Sequence, residues 1–465
     1  MRPILCRWFA ISSVLVAMVA HAATRPHYGG TLRVESRAAL PSLDPSQSIA
    51  PAEIALRDSV LSLIGDTLVA LDANARPIPR LATRWQSDNG NKRWQFWIRP
   101  GVFLHNDASL TPAHVAQSLA AINPNWKVRA NSDYIIFESE LPLPELPVEL
   151  SRPSYTILSR ASGQLVGTGP FRIEDFQPAR RLVLRANDDY WNGRPYLDAI
   201  NVTLSVPLRD QALHLQLGQV DLIELAPDQV RRTSQDNRRV ATSAPSELIA
   251  MVVPNGSSPA EDPRLRQAIS LAIDRVAINN TLLQRQGEPT AALLPQWISG
   301  YAFLFPSNRD LDRARQLRAE VHSAQAPVTL AYDPADALAR TIAERVAVNA
   351  RDAGIAIQPV PAMTNNGAAA KLVRIPASSA NSHAALASIA SSLDGAELPR
   401  VLTAGTPENL YAAERALLDD FRIIPLAHVP ESFALSPRIR NWTAPRYGGL
   451  PLHSVWLEAA QEAAK

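Results

Sequence analysis

Cysteine is almost missing: Cys6 is the only one in 465 residues. A disulfide needs two and a thiolate metal site more, so neither is available within the chain. Lysine is nearly as scarce, with Lys92, Lys127, Lys371 and Lys465 the only four. Positive charge is therefore carried by arginine, whose planar fork suits bidentate contact with carboxylates. Neither sign of charge is in excess, 46 basic against 44 acidic residues leaving +2. A chain so close to neutrality lacks the basic footprint that binding to nucleic acid demands. Glycine is low at 19 residues, about 4% against the usual ~7%, which excludes collagen-like and Gly-rich disordered classes. No run reaches the ~18 to 20 apolar residues of a membrane-spanning helix.

Catalytic signatures are missing too. There is no G-x-x-x-x-G-K, no G-x-S-x-G and no H-E-x-x-H, so phosphate-loop, nucleophile-elbow and zincin chemistries have no motif to rest on. Gly167-Thr-Gly169 is half a dinucleotide fingerprint, and Pro170 removes an N–H that a phosphate would need. His105 and His114 are close in sequence. One precedes a presumed helix and the other lies within it, so structural or solvated roles are expected rather than metal ligation. No catalytic residue, metal site or cofactor is expected.

What is present begins with an address. Arg2 and Arg7 flank the start of an apolar run from Trp8 to Val19, followed by Ala20-His-Ala22. This is the pattern of a secretory signal peptide over residues 1–22, cleaved near Ala22. Its removal takes away two arginines and Cys6, leaving a thiol-free chain with 44 bases against 44 acids. A periplasmic protein with no membrane insertion after processing is expected.

With 46% hydrophobic residues, the chain can build two or three cores. Thr31-Leu-Arg-Val34 and Trp94-Gln-Phe-Trp-Ile98 read as strands. Thr111-Pro112 and Asp262-Pro263 pair a capping side chain with a proline suited to the first helical turn. Val115, Leu119 and Ile122 follow the first, and Leu265, Ile269, Ala272, Ile273 and Val276 the second. Leu213 to Gly218 and then Val220 to Leu225 read as a helix-to-strand step. Residues 328–332, a helix opened by Asp333-Pro334 and stopped by Gly354, and residues 355–357 form a βαβ unit. Such a unit favours parallel strands in an α/β domain. Residues 362–396, rich in Ala, Ser and Asn, read as a loosely packed surface segment with a short strand at 372–375. An Ala-rich helix over 384–393 is the alternative. Trp297, in a loop-like Pro295-Gln-Trp-Ile-Ser-Gly300, and nearby Tyr301 are candidates to line a ligand cleft.

Six phrases in order resemble one family. They are Gly29-Gly-Thr-Leu-Arg-Val34 with Ser42-Leu-Asp-Pro45; Leu81-Ala-Thr-Arg-Trp85 with Trp94 to His105; Thr111-Pro-Ala-His-Val115; Val166-Gly-Thr-Gly-Pro-Phe171; Asn187-Asp-Asp-Tyr-Trp-Asn-Gly193 with Pro195-Tyr-Leu-Asp198; and Asp262-Pro-Arg-Leu-Arg-Gln-Ala268 with Ala272-Ile-Asp-Arg275. Together they resemble the family 5 extracellular solute-binding proteins, periplasmic receptors of ABC importers for peptides, nickel and related solutes.

The resemblance implies an α/β protein of two lobes in the type II-like, Venus-flytrap arrangement, with mixed sheets and a ligand cleft between the lobes. A discontinuous first lobe would comprise 27–255 and 425–465, and the second 256–424, with crossings near 249–254 and 421–429. It implies a monomer that takes a small-molecule or oligopeptide ligand and docks on an inner-membrane ABC permease. Ser42 and Ser48 follow the first strand, where relatives contact ligand. The chain departs from the family before its C-terminal return: Val373 to Ser382 holds no Trp, Tyr or Asp where relatives carry an aromatic and acidic stretch. Arg374 could there meet a ligand carboxylate. The departure also keeps open a non-transport envelope scaffold, sensor or chaperone.

Overall fold

The computed structural model describes residues 25–458, apart from 73, 125, 141, 162, 237, 257–258, 322–325, 363–366, 378, 380, 392–405 and 445–449. The signal peptide expected over residues 1–22 lies outside the described residues.

One mixed sheet runs through the molecule. Its strands are β1 (Thr31–Glu35), β2 (Phe171–Gln177), β3 (Arg181–Ala186), β4 (Ala199–Thr203), β5 (Leu222–Leu225), β6 (Arg239–Val252), β7 (Val328–Tyr332), β8 (Ile357–Pro361), β9 (Ala370–Pro376) and β10 (Ile423–Leu435). They lie side by side as β2-β3-β4-β1-β5-β10-β6-β9-β7-β8, with the short strand Glu288–Pro289 against β10. β1 is parallel to β4 and β5, and β7 is parallel to β8 and β9. β10 is antiparallel to both β5 and β6.

The buried apolar side chains separate into two sets on either side of this sheet's middle. The first lobe's cores gather residues between Leu32 and Leu204 with a return from Phe433 to Leu457. The second lobe's cores gather residues between Leu248 and Val429. Only β6 and β10 are long enough to run from one set to the other. At the crossing Pro245 faces Pro430 across the ladder, and the register slips on both sides of that pair. Neither proline carries an N–H, so the ladder is thin there, in mid-sheet, where proline is normally avoided.

Local chemistry explains the helices that hold the site. They are α1 (Pro51–Ile64), α2 (Pro112–Ile122), α3 (Leu208–Gln216), α4 (Pro263–Ala272), α5 (Ala337–Asp352), α6 (Ser382–Ser391) and α7 (Pro407–Leu418). Thr111 caps α2 by accepting from the His114 N–H, and the His114 ring accepts back from the Thr111 N–H. Val115 and Leu119 of α2 pack on a separate four-stranded antiparallel sheet that includes Arg93–Ile98.

Three expectations need correction. The βαβ helix starts at Ala337 rather than at Asp333, because Asp333 closes a turn on the Ala335 N–H while Asp336 accepts from Leu338 and Ala339. Gly354 ends it in the left-handed conformation, φ 75°. α4 stops at Ala272, since Asp274 caps a separate short helix, and Val276 is exposed. The Ala-rich segment is no loosely packed surface stretch where it is described; the expected strand at 372–375 and the alternative helix over 384–393 are both present, as β9 and α6. β9 lies between β6 and β7, and α6 buries Ala384, Ala385, Leu386 and Ile389. Small side chains let these elements sit close, which composition alone does not distinguish from disorder.

Candidate functional site

Strand alternation sets one charged residue from each of three strands against the middle of the sheet. Glu247 of β6 lies on the face that carries Ile249 and Met251, and Arg374 of β9 on the face that carries Leu372. That face packs on α5, so its N-terminal Asp336 arrives beside them. The Arg374 Nε donates to Glu247 Oε2 at 2.9 Å and its Nη1 to Asp336 Oδ2 at 3.1 Å. Glu224 of β5 stands across the crossing, bonded by the Ser36 hydroxyl. Arg37, just beyond β1, reaches all three acids. Its Nη1 lies 3.4 Å from Asp336, its Nε 3.3 Å from Glu224 and its Nη2 4.0 Å from Glu247.

The cluster is withdrawn from water. The Asp336 and Glu247 side chains are 5% and 8% exposed, Arg374 16% and Arg37 24%. Burial alone would raise the Asp336 carboxyl. Arg374, Arg37 and the Ala339 N–H outweigh it and hold the group below the usual carboxylate range. Burial alone would likewise lower the Arg374 guanidinium, and Glu247 with Asp336 keep it above its ordinary value.

A cavity of about 80 Å³ opens beside the cluster. Ala55, Leu56 and Ser59 of α1, Glu224, and Phe433 line it from the first lobe, while Arg374 comes from the second. Ser432 also lines it. This side chain is 4% exposed, and its hydroxyl has no hydrogen-bond partner. The space holds several waters but falls short of the ~300 Å³ at which small-molecule pockets begin. The facing walls are thus largely filled by the protein's own charged side chains. A larger cavity, about 520 Å³, lies on the second lobe around Glu288–Pro289, His428 and the exposed Phe303.

Of the residues singled out from sequence, only Arg374 lines the inter-lobe cavity, and its partners are the protein's own carboxylates. Ser42 accepts from the Asp44 N–H in a local turn, and Ser48 is exposed. The Trp297 indole donates to the Pro245 carbonyl at 2.8 Å, against the crossing strand. Tyr301 is 7% exposed and stacks edge-on with Tyr411 in the second lobe's core. An aromatic run in a loop signals burial as readily as it signals a cleft. Arg37, Glu224, Glu247 and Asp336 escaped the sequence reading. The available signal was a lone charge inside an apolar strand, as in Leu222-Ile-Glu-Leu225 and Glu247-Leu-Ile-Ala250, since a buried charge requires a partner.

The remaining motifs are structural. The His105 ring lies between the Gly169 carbonyl and the Gly167 N–H, and burial lowers it to about 4. A Cβ on Gly167 would fall 1.9 Å from the Ile64 carbonyl, so this glycine serves close backbone approach to the end of α1. Thr168, Tyr190, Trp191 and Arg80 all bond the buried Asp66. Among the described residues no group of three His, Cys, Asp or Glu side chains is arranged to hold a metal ion. No helix among them is long and apolar enough to cross a membrane.

Comparison with known proteins places this arrangement. The dipeptide-binding protein of Escherichia coli is 24% identical over 273 residues, 48% of this chain and 51% of that protein. The nickel-binding periplasmic protein of the same organism is 23% identical over 339 residues, 63% of this chain and 64% of that protein. The matches span about a third to just under two thirds of such curated relatives. Among solved structures, the Helicobacter pylori periplasmic binding protein DppA in complex with the peptide STSA superimposes with a TM-score of 0.80 at 18% identity. That superposition covers 93% of this chain and 99% of that one. The model of the bacterial extracellular solute-binding proteins, family 5 Middle, matches residues 76–374. With two lobes joined by paired crossing strands and most of its length matched, the chain belongs to the family 5 bacterial extracellular solute-binding proteins.

Proposed function

We propose that this protein is the periplasmic solute-binding component of an ABC importer, and that its solute is a small peptide or peptide-like molecule held between the lobes. The observation that carries the reading is the family's architecture, with charged side chains of both lobes meeting where β6 and β10 cross; the cavity of about 80 Å³ there must widen to admit a peptide. A solute that touches both walls stabilises the closed form, because only differential affinity for the two states shifts their balance. The first lobe on this reading comprises 27–255 and 425–465 and the second 256–424. The closed monomer would be the form that meets an inner-membrane permease. Binding rather than catalysis is its role, as for the named relatives, a dipeptide-binding and a nickel-binding protein.

The test is a titration of the processed protein with a library of di- to pentapeptides, followed by tryptophan fluorescence and thermal shift. A true ligand raises the melting temperature with concentration, by about 2.7 kcal/mol of added stability at a hundred times its Kd. No response to any peptide removes the peptide assignment.

A further inference from the structure

The acids at the crossing form a cage, and the cage already contains a cation. Glu224, Glu247 and Asp336 supply three carboxylates against the two guanidiniums of Arg37 and Arg374. The two arginines are held differently. Arg374 makes close hydrogen bonds from its own lobe and the crossing strand, at 2.9 and 3.1 Å. Arg37 is anchored beyond β1 in the first lobe, and its contacts are all longer, at 3.3, 3.4 and 4.0 Å. One of them, to Asp336 at the head of α5, is a bond from lobe to lobe. Removing Arg37 would leave two uncompensated negative charges among buried groups, a site that demands a cation. Independently, the Ser432 hydroxyl lines the adjoining cavity with no partner of its own.

We propose that Arg37 is a built-in occupant of the ligand site: its guanidinium latches the lobes together in the absence of solute, and a guanidinium-bearing solute enters by taking its place among Glu224, Glu247 and Asp336, with Ser432 as a further hydrogen-bond partner. The proposal rests on the binding-protein reading and narrows its solute class. It accounts for the small volume of the cavity, because the space a ligand's cationic end would fill is held by the protein. It also accounts for two otherwise separate facts, the loose fit of Arg37 and the tight fit of Arg374. A displaceable plug must be weaker than the walls around it.

The experiment is chemical rescue. Arg37→Ala is titrated with ethylguanidinium, ethylammonium and acetate at up to about 10 mM, and melting temperature and tryptophan fluorescence are followed. Arg37→Ala is expected to melt below wild type and to recover at least half the difference, saturably, with ethylguanidinium alone. Wild type is expected to respond only at higher ethylguanidinium concentration, because the solute must first displace Arg37. Equal recovery with ethylammonium overturns the guanidinium class. Absence of recovery, or the same response in wild type, overturns the latch. Should Arg37→Ala not fold, Arg37→Gln carries the same titration. Small-angle scattering of the solute-free wild type at low salt adds a second readout: a compact form is expected, and an open form equal to that of Arg37→Gln overturns the proposal. The peptide titration of wild type is read separately. Peptide binding without rescue removes the latch and leaves the importer reading, and rescue without peptide binding leaves the latch and removes the peptide assignment.

Discussion

Asp336 and Glu414 are two acids of the same lobe, 5% and 0% exposed, and they meet opposite conditions. Asp336 stands at the cleft wall between two guanidiniums and two backbone N–H groups, which hold its carboxyl low. Glu414, on α7, sits in the lobe's interior. There it accepts from the Leu293 and Leu294 N–H groups and has no ion pair with any of the described residues. Burial pushes it up to about 7, and the two N–H groups with Tyr301 only partly offset that. His428, bonded to the Leu293 carbonyl close by, is pushed down to about 4 by burial. The lesson is that depth alone does not decide the state of a buried charge. Partners do: Asp336 has two guanidiniums within reach, whereas Glu414 relies on backbone N–H groups.

The largest expected effect breaks the paired side of that contrast. Arg374→Ala leaves Glu247 and Asp336 with only the longer contacts of Arg37 in a largely buried site and should lower stability by about 3–5 kcal/mol, read by urea denaturation at pH 7. A loss below 1 kcal/mol would mean that the acids find water and the wall is not dry. Next comes the unpaired side. A Glu whose folded pKa is raised contributes its stability below the unfolded value near 4.5 and loses it as pH climbs to about 7. Glu414→Gln should therefore gain on the order of 3 kcal/mol relative to wild type at pH 8 and nothing at pH 4.5, since each pKa unit is worth about 1.4 kcal/mol. His428 works in the other direction. Its folded pKa lies below 6.5, so stability is present above 6.5 and is lost as pH falls toward about 4. Replacing it with Gln should flatten that acid limb, measured by thermal melts between pH 4 and 7. The smallest effect concerns the looser cation. Raising salt from about 0.05 to 0.5 M should cost wild type under about 1 kcal/mol, because Arg37 is partly exposed and its contacts are long. Relative to wild type, Arg37→Ala should gain stability as salt rises, because added cations screen the acids it leaves uncompensated.

Much of the scaffold was legible in the chain. Thr111, Asp262 and Gly354 punctuate helices through chemistry that acts within a few residues, and the alternation of Trp94, Phe96 and Ile98 declares a strand face. The site was legible only in part. Arg374 lines the cavity, yet its partners lie 38 and 127 residues away and no local pattern joins them. Tyr301 and Trp297 misled because the segment is not a loop: Trp297 lies in the short helix Gln296–Ser299 and Tyr301 precedes another turn of helix, and a polar-tipped aromatic there has the same local signature whether it packs inward or faces a ligand. The strand at 372–375 and the alternative helix over 384–393 are present as β9 and α6, but their burial was not legible: small residues carry little hydrophobic signal, and close packing against β6 and α7 supplies what periodicity does not.

Pro245 opposite Pro430 has a mechanical consequence. Bending a β-ladder ordinarily tears N–H···O bonds, and each such loss would have to be recovered elsewhere. Two imide nitrogens face to face leave that step of the β6–β10 pair with no backbone bond to tear, and the Trp297 indole on the Pro245 carbonyl and the Ser243 hydroxyl on the Glu431 N–H are side-chain bonds made there. A bend centred there costs fewer ladder bonds than one elsewhere along the two strands.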